Sequence, residues 1–227
     1  MFQDSIKKLP NILVIVSMVF CVLFFAGCGN KEEENNGNLP KVPSVGANDG
    51  KLENNGGENK NVTKENLSQF VEEFRAAMYG DESRTAKTRG TEYTDTIYDG
   101  RGGELKIWTD FSENINIEGS SLSTLKFFNF SKSGRLFLGG GVGIAYYYGE
   151  AGQKEEWKFN GEVKFNGIFN GSVVYKNYYQ EVNTYDNEKG YLVVKESGDI
   201  VVKSGGNEIS LKEYPDIFIG GLFWFIF

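Results

Sequence analysis

Residues 157–175 read WKFNGEVKFNGIFNGSVVY, with Phe-Asn-Gly repeated three times. Asn-Gly between alternating residues is the strongest short hairpin signal in a sequence. The parity of the stretch argues against three such hairpins. Trp157, Phe159, Gly161, Val163, Phe165, Gly167, Phe169, Gly171, Val173 and Tyr175 all fall on odd positions, and the even positions are polar except Ile168 and Val174. A two-residue turn would exchange the faces and move the apolar set to even numbers. The unbroken alternation therefore predicts one long bent strand, or a three-residue turn with a glycine bulge. Glycines on the buried face permit sharp bending. The fold that follows is mainly β: an antiparallel curved sheet, a sandwich or barrel-like.

The same period of two recurs outward from this stretch. Residues 104–109 alternate, as do 114–117, and 122–130 and 135–138 read as further strands. Residues 190–195, 199–203 and 208–212 form a meander broken at Ser197-Gly198 and at Ser204-Gly205-Gly206-Asn207, both hairpin turns in composition. One segment has a different period. In residues 63–79, Leu67, Phe70, Val71, Phe74, Ala77 and Met78 recur at helical spacing, which predicts one amphipathic helix N-terminal to the sheet. Thr63 is placed to cap it, Glu65 lies in its first turn and Gly80 stops it. Residues 81–92 are polar and read as a loop. The end of the chain, residues 220–227, is apolar on both faces and reads as a central strand. The folded domain is thus expected to span 63–227.

Composition excludes several kinds of chemistry. The chain of 227 residues carries 24 Lys+Arg against 31 Asp+Glu, a formal charge of −7. No cationic stripe offsets this, so no nucleic acid partner is expected. Histidine is absent, which removes Ser-His-Asp and Cys-His pairs and every His-ligated metal site. The two cysteines, Cys21 and Cys28, lie near the N-terminus, so no disulfide can staple the remainder.

The N-terminal segment has its own layout. Lys7 and Lys8 precede an apolar run over residues 12–27, ILVIVSMVFCVLFFAG. At 16 residues it falls short of the roughly 20 that a spanning helix needs. A positive flank, an apolar middle and small residues at the end are the layout of a secretory signal. Phe25-Ala26-Gly27-Cys28 resembles the lipobox of bacterial lipoproteins, with Phe25 where that class usually has an aliphatic residue. The resemblance implies a signal peptide at 1–27, diacylglyceryl attachment to Cys28, cleavage before it and membrane anchoring through acyl chains. Two or three chains hold firmly, at about 0.8 kcal/mol per buried CH₂. Removing residues 1–27 takes away Lys7, Lys8 and Asp4, which moves the charge from −7 to −8. Gly29 stands where an Asp often retains such a protein at the inner membrane, so the outer membrane or cell surface is implied.

Residues 29–62 contain no aromatic residue and are dominated by Asn, Gly, Glu and Lys. Such a segment buries too little apolar surface to order itself. With lipidated Cys28 it reads as a flexible tether, with a mean reach of about 30 Å and roughly 110 Å fully extended.

Candidate chemistry is sparse. Gly139-Gly140-Gly141-Val142-Gly143 invites a phosphate-loop reading, but it lacks the Gly-Lys-Ser/Thr ending and fits a bent or close-packed strand better. Asp95, Asp99 and residues 186–188 offer oxygens without calcium-loop spacing, and read as solvated turn carboxylates. Glu155 and Glu156 are adjacent, so a strand would send them to opposite faces, a poor pair for glycoside hydrolysis. Tyr146, Tyr147, Tyr148, Trp157, Tyr178 and Tyr179 are the best ligand hint, because consecutive tyrosines on a strand cannot all be buried. The expectation is a non-enzymatic, lipid-anchored extracytoplasmic binding or structural protein with a glycan or protein partner. No metal, cofactor or catalytic residue is expected. The alternatives are a barrel-like carrier of an apolar ligand and a glycan hydrolase working with carboxylates alone.

Overall fold

Residues 157–175 form a hairpin. The computed structural model describes residues 39–78, 83–89, 92–111, 120–148, 154–183 and 192–214. In chain order its elements are β1 (Lys60–Asn61), α1 (Leu67–Met78), β2 (Ser83–Arg89), β3 (Glu92–Tyr98), β4 (Glu104–Asp110) and β5 (Ser120–Phe130). There follow β6 (Leu136–Tyr148), β7 (Lys154–Gly167), β8 (Phe169–Asn183), β9 (Leu192–Ser204), β10 (Asn207–Ser210) and a 3-10 turn at Leu211–Glu213. The β7–β8 ladder runs inward to Phe165↔Gly171, leaving residues 166–170 as the connection. That odd number keeps both arms in the same parity, so Val163 still faces Val173. Neither a single long strand nor a three-residue turn forms; a longer odd turn satisfies the same pattern.

The strands β2 to β10 form one open, curved antiparallel sheet in sequence order, with β1 added parallel to β8 off that path. A single sheet of this kind replaces the two facing sheets of a sandwich. Its bends come from bulges. Between Phe127↔Gly140 and Phe130↔Leu138 the register shifts at Asn129, and between Lys176↔Asp199 and Tyr179↔Ser197 it shifts at Asn177. Both asparagines have positive φ, 50° and 48°, a conformation Asn tolerates better than most residues. Asn177 also flips the alternation of β8, so that Tyr175 is buried before it and Tyr178 and Gln180 after it. Opposite Asn177 lies Gly198, at φ 73°. The expected hairpin at Ser197-Gly198 is therefore a bulge inside β9. The expected turn at Gly205-Gly206 does form, with φ of 55° and 83° and Ser204 paired to Asn207.

Two further expectations shift. The polar stretch 81–92, read as a loop, contains β2 and the start of β3, held by main-chain pairing from Ser83↔Tyr98 to Arg89↔Glu92. Ladder bonds require no apolar pattern, so composition hid this strand. The strands expected at 114–117 and in 220–227 and the stop at Gly80 lie outside the described residues.

Among the described residues α1 covers Leu67–Met78, so it starts at Leu67 rather than at Thr63. Phe70 N–H donates to Asn66 O at 3.0 Å, and Thr63 N–H donates to the Asn66 side chain at 2.8 Å. Asn66, not Thr63, thus sits at the helix entrance. All six stripe residues, Leu67, Phe70, Val71, Phe74, Ala77 and Met78, are buried. Phe70 is the centre of the contact, with ring centroids 4.7 Å from Phe165, 5.8 Å from Phe169 and 5.8 Å from Phe74. Beside them, Glu73 pairs with Arg135 at 3.0 Å. At the far end Ala77 O accepts from Lys132 N–H at 2.8 Å, which satisfies a terminal helix carbonyl.

Residues 39–62 overturn most of the tether expectation. They lie across the sheet as a strap, with Val42, Val45 and Val62 buried. Asn129 N–H donates to Lys51 O at 2.6 Å, Asn59 N–H to Gly167 O at 2.8 Å and Val62 N–H to Ser204 Oγ at 2.8 Å. Asn55 Nδ2 donates to Asn129 Oδ1 at 2.6 Å and to Asn166 Oδ1 at 3.2 Å, while Asn166 Nδ2 donates to Glu53 O. The strap orders through main-chain and amide hydrogen bonds, which a count of its own apolar residues misses. Residues 29–38 and Cys28 lie outside the described residues.

Candidate functional site

β6 has two different faces. Its even residues, Leu136, Leu138, Val142 and Ile144, are buried in the core beneath α1. On the other face, Gly139, Gly141 and Gly143 form a bare track that seats the strap. A Cβ on Gly139 would stand 2.6 Å from Leu52 Cβ, and one on Gly141 2.6 Å from Val45 Cγ1. At Gly143 it would strike Pro43 O. The glycine run is therefore a close-approach surface for the chain's own segment, not a phosphate loop.

The core-facing side continues past α1 into an aromatic row. Tyr146 lies 4.2 Å from Trp157 between centroids, Trp157 stacks on Phe159 at 6.2 Å and 8°, and Phe159 lies 6.1 Å from Tyr175 and 6.0 Å from Tyr178. Trp157 Nε1 donates to Glu155 Oε2 at 3.3 Å. Burial nonetheless raises the Glu155 carboxyl above its ordinary range, the indole bond opposing it. Burial also pushes the Tyr178 phenol strongly upward, helped by the Glu196 carboxylate. Polar groups share this side: Thr109 Oγ1 and Ser123 Oγ are 2.9 Å apart, and Tyr93 OH donates to Asp95 at 3.3 Å.

The tyrosine cluster of the sequence is thus divided. Tyr146 and Tyr178 join the core-facing row. Tyr179 lies on the other face, its hydroxyl 3.0 Å from Glu156 Oε2 and 3.2 Å from Glu181 Oε2, with Lys195 5.7 Å above its ring. Burial and these carboxylates push its phenol up as well. Glu155 and Glu156 fall on opposite faces, as alternation requires, so they cannot flank one glycosidic bond.

The exposed aromatics are elsewhere. Tyr98 and Trp108 retain 38% and 37% exposure on the strap-bearing face of β3 and β4. Register places Thr94, Trp108 and Thr124 in one row, Thr96, Lys106 and Lys126 in the next, and Tyr98, Glu104 and Phe128 beyond. Lys106 sits 4.8 Å above the Phe128 ring and 3.0 Å from Glu104. Sequence reasoning passed over this surface. The signal was available: with Leu105, Ile107 and Thr109 inward, Trp108 has to point outward.

Asp95 and Asp99 are buried, not solvated. Asp99 accepts from the amides of Arg101 at 2.7 Å, Gly103 at 2.9 Å and Ser131 at 3.0 Å, pinning the β3–β4 turn to the β5–β6 turn. Among the described residues no group of three or more His, Cys, Asp or Glu is placed to hold a metal, and no helix is long and apolar enough to cross a membrane. Residues 186–188 lie outside the described residues. No family model, curated protein sequence or solved structure matches this chain.

Proposed function

We propose that this is a lipid-anchored extracytoplasmic protein of the outer membrane or cell surface that binds a glycan without performing chemistry on it. The anchor reading rests on Phe25-Ala26-Gly27-Cys28. The observation that carries the binding reading is the exposure of Trp108 in a row with Thr94 and Thr124, and of Tyr98 further along the same face. A flat indole flanked by hydroxyls suits a sugar, which offers an apolar ring face and a rim of hydroxyl groups. The separation of Glu155 from Glu156 favours binding over hydrolysis. The test is a glycan and cell-wall polysaccharide array probed with full-length protein. Binding that falls at least tenfold in Trp108→Ala with an unchanged circular dichroism spectrum is expected. Failure to bind any glycan, or capture of a protein through the same face, overturns it.

The core-facing row from Tyr146 to Tyr178 favours a second reading, a carrier of an apolar ligand within the curved sheet. Native mass spectrometry of the protein from its own membrane distinguishes the two: a co-purified lipid supports the carrier.

A further inference from the structure

Between the two exposed aromatics of the strap-bearing face lies a row of cations. Trp108 pairs with Thr94 and Thr124, and Glu104 pairs with Tyr98 and Phe128. The row between them holds Thr96, Lys106 and Lys126. Lys106 and Lys126 are direct cross-strand partners, so both side chains leave the same face from backbones about 5 Å apart. Like charges so placed destabilise a sheet. Lys106 is relieved, with Glu104 3.0 Å from its Nζ and the Phe128 ring at 4.8 Å. Among the described residues Lys126 makes no hydrogen bond or ion pair. It is half-buried and stands between Lys106 and Gly141, the seat of Val45, so water screens it less than a fully exposed lysine. Lys106 is two residues from Trp108, about 7 Å along the strand, and Tyr98 is level with Glu104, about 13 Å from Trp108 along the strand. A chain that covers both rings passes over the lysines.

We infer that the glycan of this face is an anionic chain that runs along β4, stacks a sugar on Trp108 and seats an acidic group, a carboxylate or a sulfate, between Lys106 and Lys126. This rests on the reading of the face as a glycan surface. Thr96 supplies a further hydroxyl donor in the same row. The carboxylates of the face stand outside the seat: Glu104 holds Lys106 from the Tyr98 side, and Asp110 lies past Trp108. An acidic group between the lysines relieves their repulsion, and hydrogen bonds between ionised partners are about twice as strong as neutral ones. A neutral sugar would leave the two cations opposed. The whole chain has a formal charge of −7, so the attraction is local to this pair and owes nothing to the overall field.

The test titrates full-length protein with two matched pairs of probes: polygalacturonate against its methyl ester, and dextran sulfate against dextran. In at least one pair the anionic member is expected to bind about tenfold tighter than the neutral one. The first pair reports a carboxylate and the second a sulfate. The preference should shrink between about 0.1 M and about 1 M salt, as the screening length falls from about 10 Å to about 3 Å. Lys126→Gln, with a native circular dichroism spectrum, should abolish the preference, and Lys212→Gln on the 3-10 turn should leave it intact. Trp108→Ala should weaken both members of a pair. Equal affinity within both pairs, or a preference that survives Lys126→Gln, overturns the anionic seat; a loss in Trp108→Ala then leaves the glycan reading standing. If all four probes fail, the glycan array decides: anionic glycans lost in Lys126→Gln support the seat, neutral glycans alone overturn it, and a blank array overturns both readings.

Discussion

The two sides of β6 are covered in opposite ways. On one, α1 brings Phe70 against Phe165 and Phe169, with Phe74 beside it, and the contact is side chain against side chain. On the other, the strap lays Leu52, Val45 and Pro43 onto bare glycine backbone, with asparagine amides as fasteners. One strand serves both, with Leu136, Leu138, Val142 and Ile144 on the core face and Gly139, Gly141 and Gly143 on the strap face. The lesson is that a polar, glycine-rich segment becomes ordered when a partner surface lets its backbone come close. Apolar content alone does not forecast it.

Experiments can break this comparison. The most damaging change removes the strap: a chain beginning at Thr63 loses the burial of Val42, Val45 and Val62. The expected cost is on the order of 5 kcal/mol, at about 1.5–3 kcal/mol per fully buried side chain, read as a lower denaturation midpoint in urea. Phe70→Ala attacks the other side and should cost about 3–5 kcal/mol by opening a cavity among Phe74, Phe165 and Phe169. Equal losses would mean that the two coverings matter alike. Gly141→Val puts a side chain where Val45 lies and 2.5 Å from the Leu125 carbonyl of β5, so strap and ladder must both shift, and about 1–3 kcal/mol or more is expected. It should also make Lys51 a new trypsin site; protection at Lys51 would show that the strap stays down. Asn129→Ala removes a residue tolerant of positive φ and the amide that binds Asn55 and Glu53, at about 1–3 kcal/mol.

The smallest effect has the opposite sign. Glu155 is raised in the folded protein, so its charged form opposes folding above the unfolded value of 4.5. Stability from this group grows as pH falls through the folded pKa. Glu155→Gln should therefore raise Tm at pH 7, and the gain should fade on acidification. A lower Tm at pH 7 would mean that the Trp157 bond outweighs the desolvation.

Legibility followed the kind of interaction. The six-residue stripe of α1 was readable because a helix in water needs one apolar face, and all six residues are buried. The parity of residues 157–175 was readable for the same reason, down to the buried set Phe159, Val163, Phe165 and Val173. What escaped was carried by backbone. β2 is held by ladder bonds, the strap by amides and glycine seats, and the Ser197-Gly198 pair looks alike in a turn and in a bulge. At the candidate site, Tyr146 and Trp157 were named, but their division from Tyr179 depended on the bulge at Asn177. Trp108 was present in an alternating strand and was not followed to its exposed face.

The sequence by itself determined a β-rich chain with one amphipathic helix, a parity-preserving turn in 157–175 and a lipobox-like segment ending at Cys28. Periodicity records which side chains avoid water, and that is a local property. Tertiary structure alone decided that the sheet is single and open, that residues 39–62 belong to it, and which aromatics are exposed. Those outcomes depend on where two distant backbones can touch, and glycine and asparagine permit such contacts without specifying the partner.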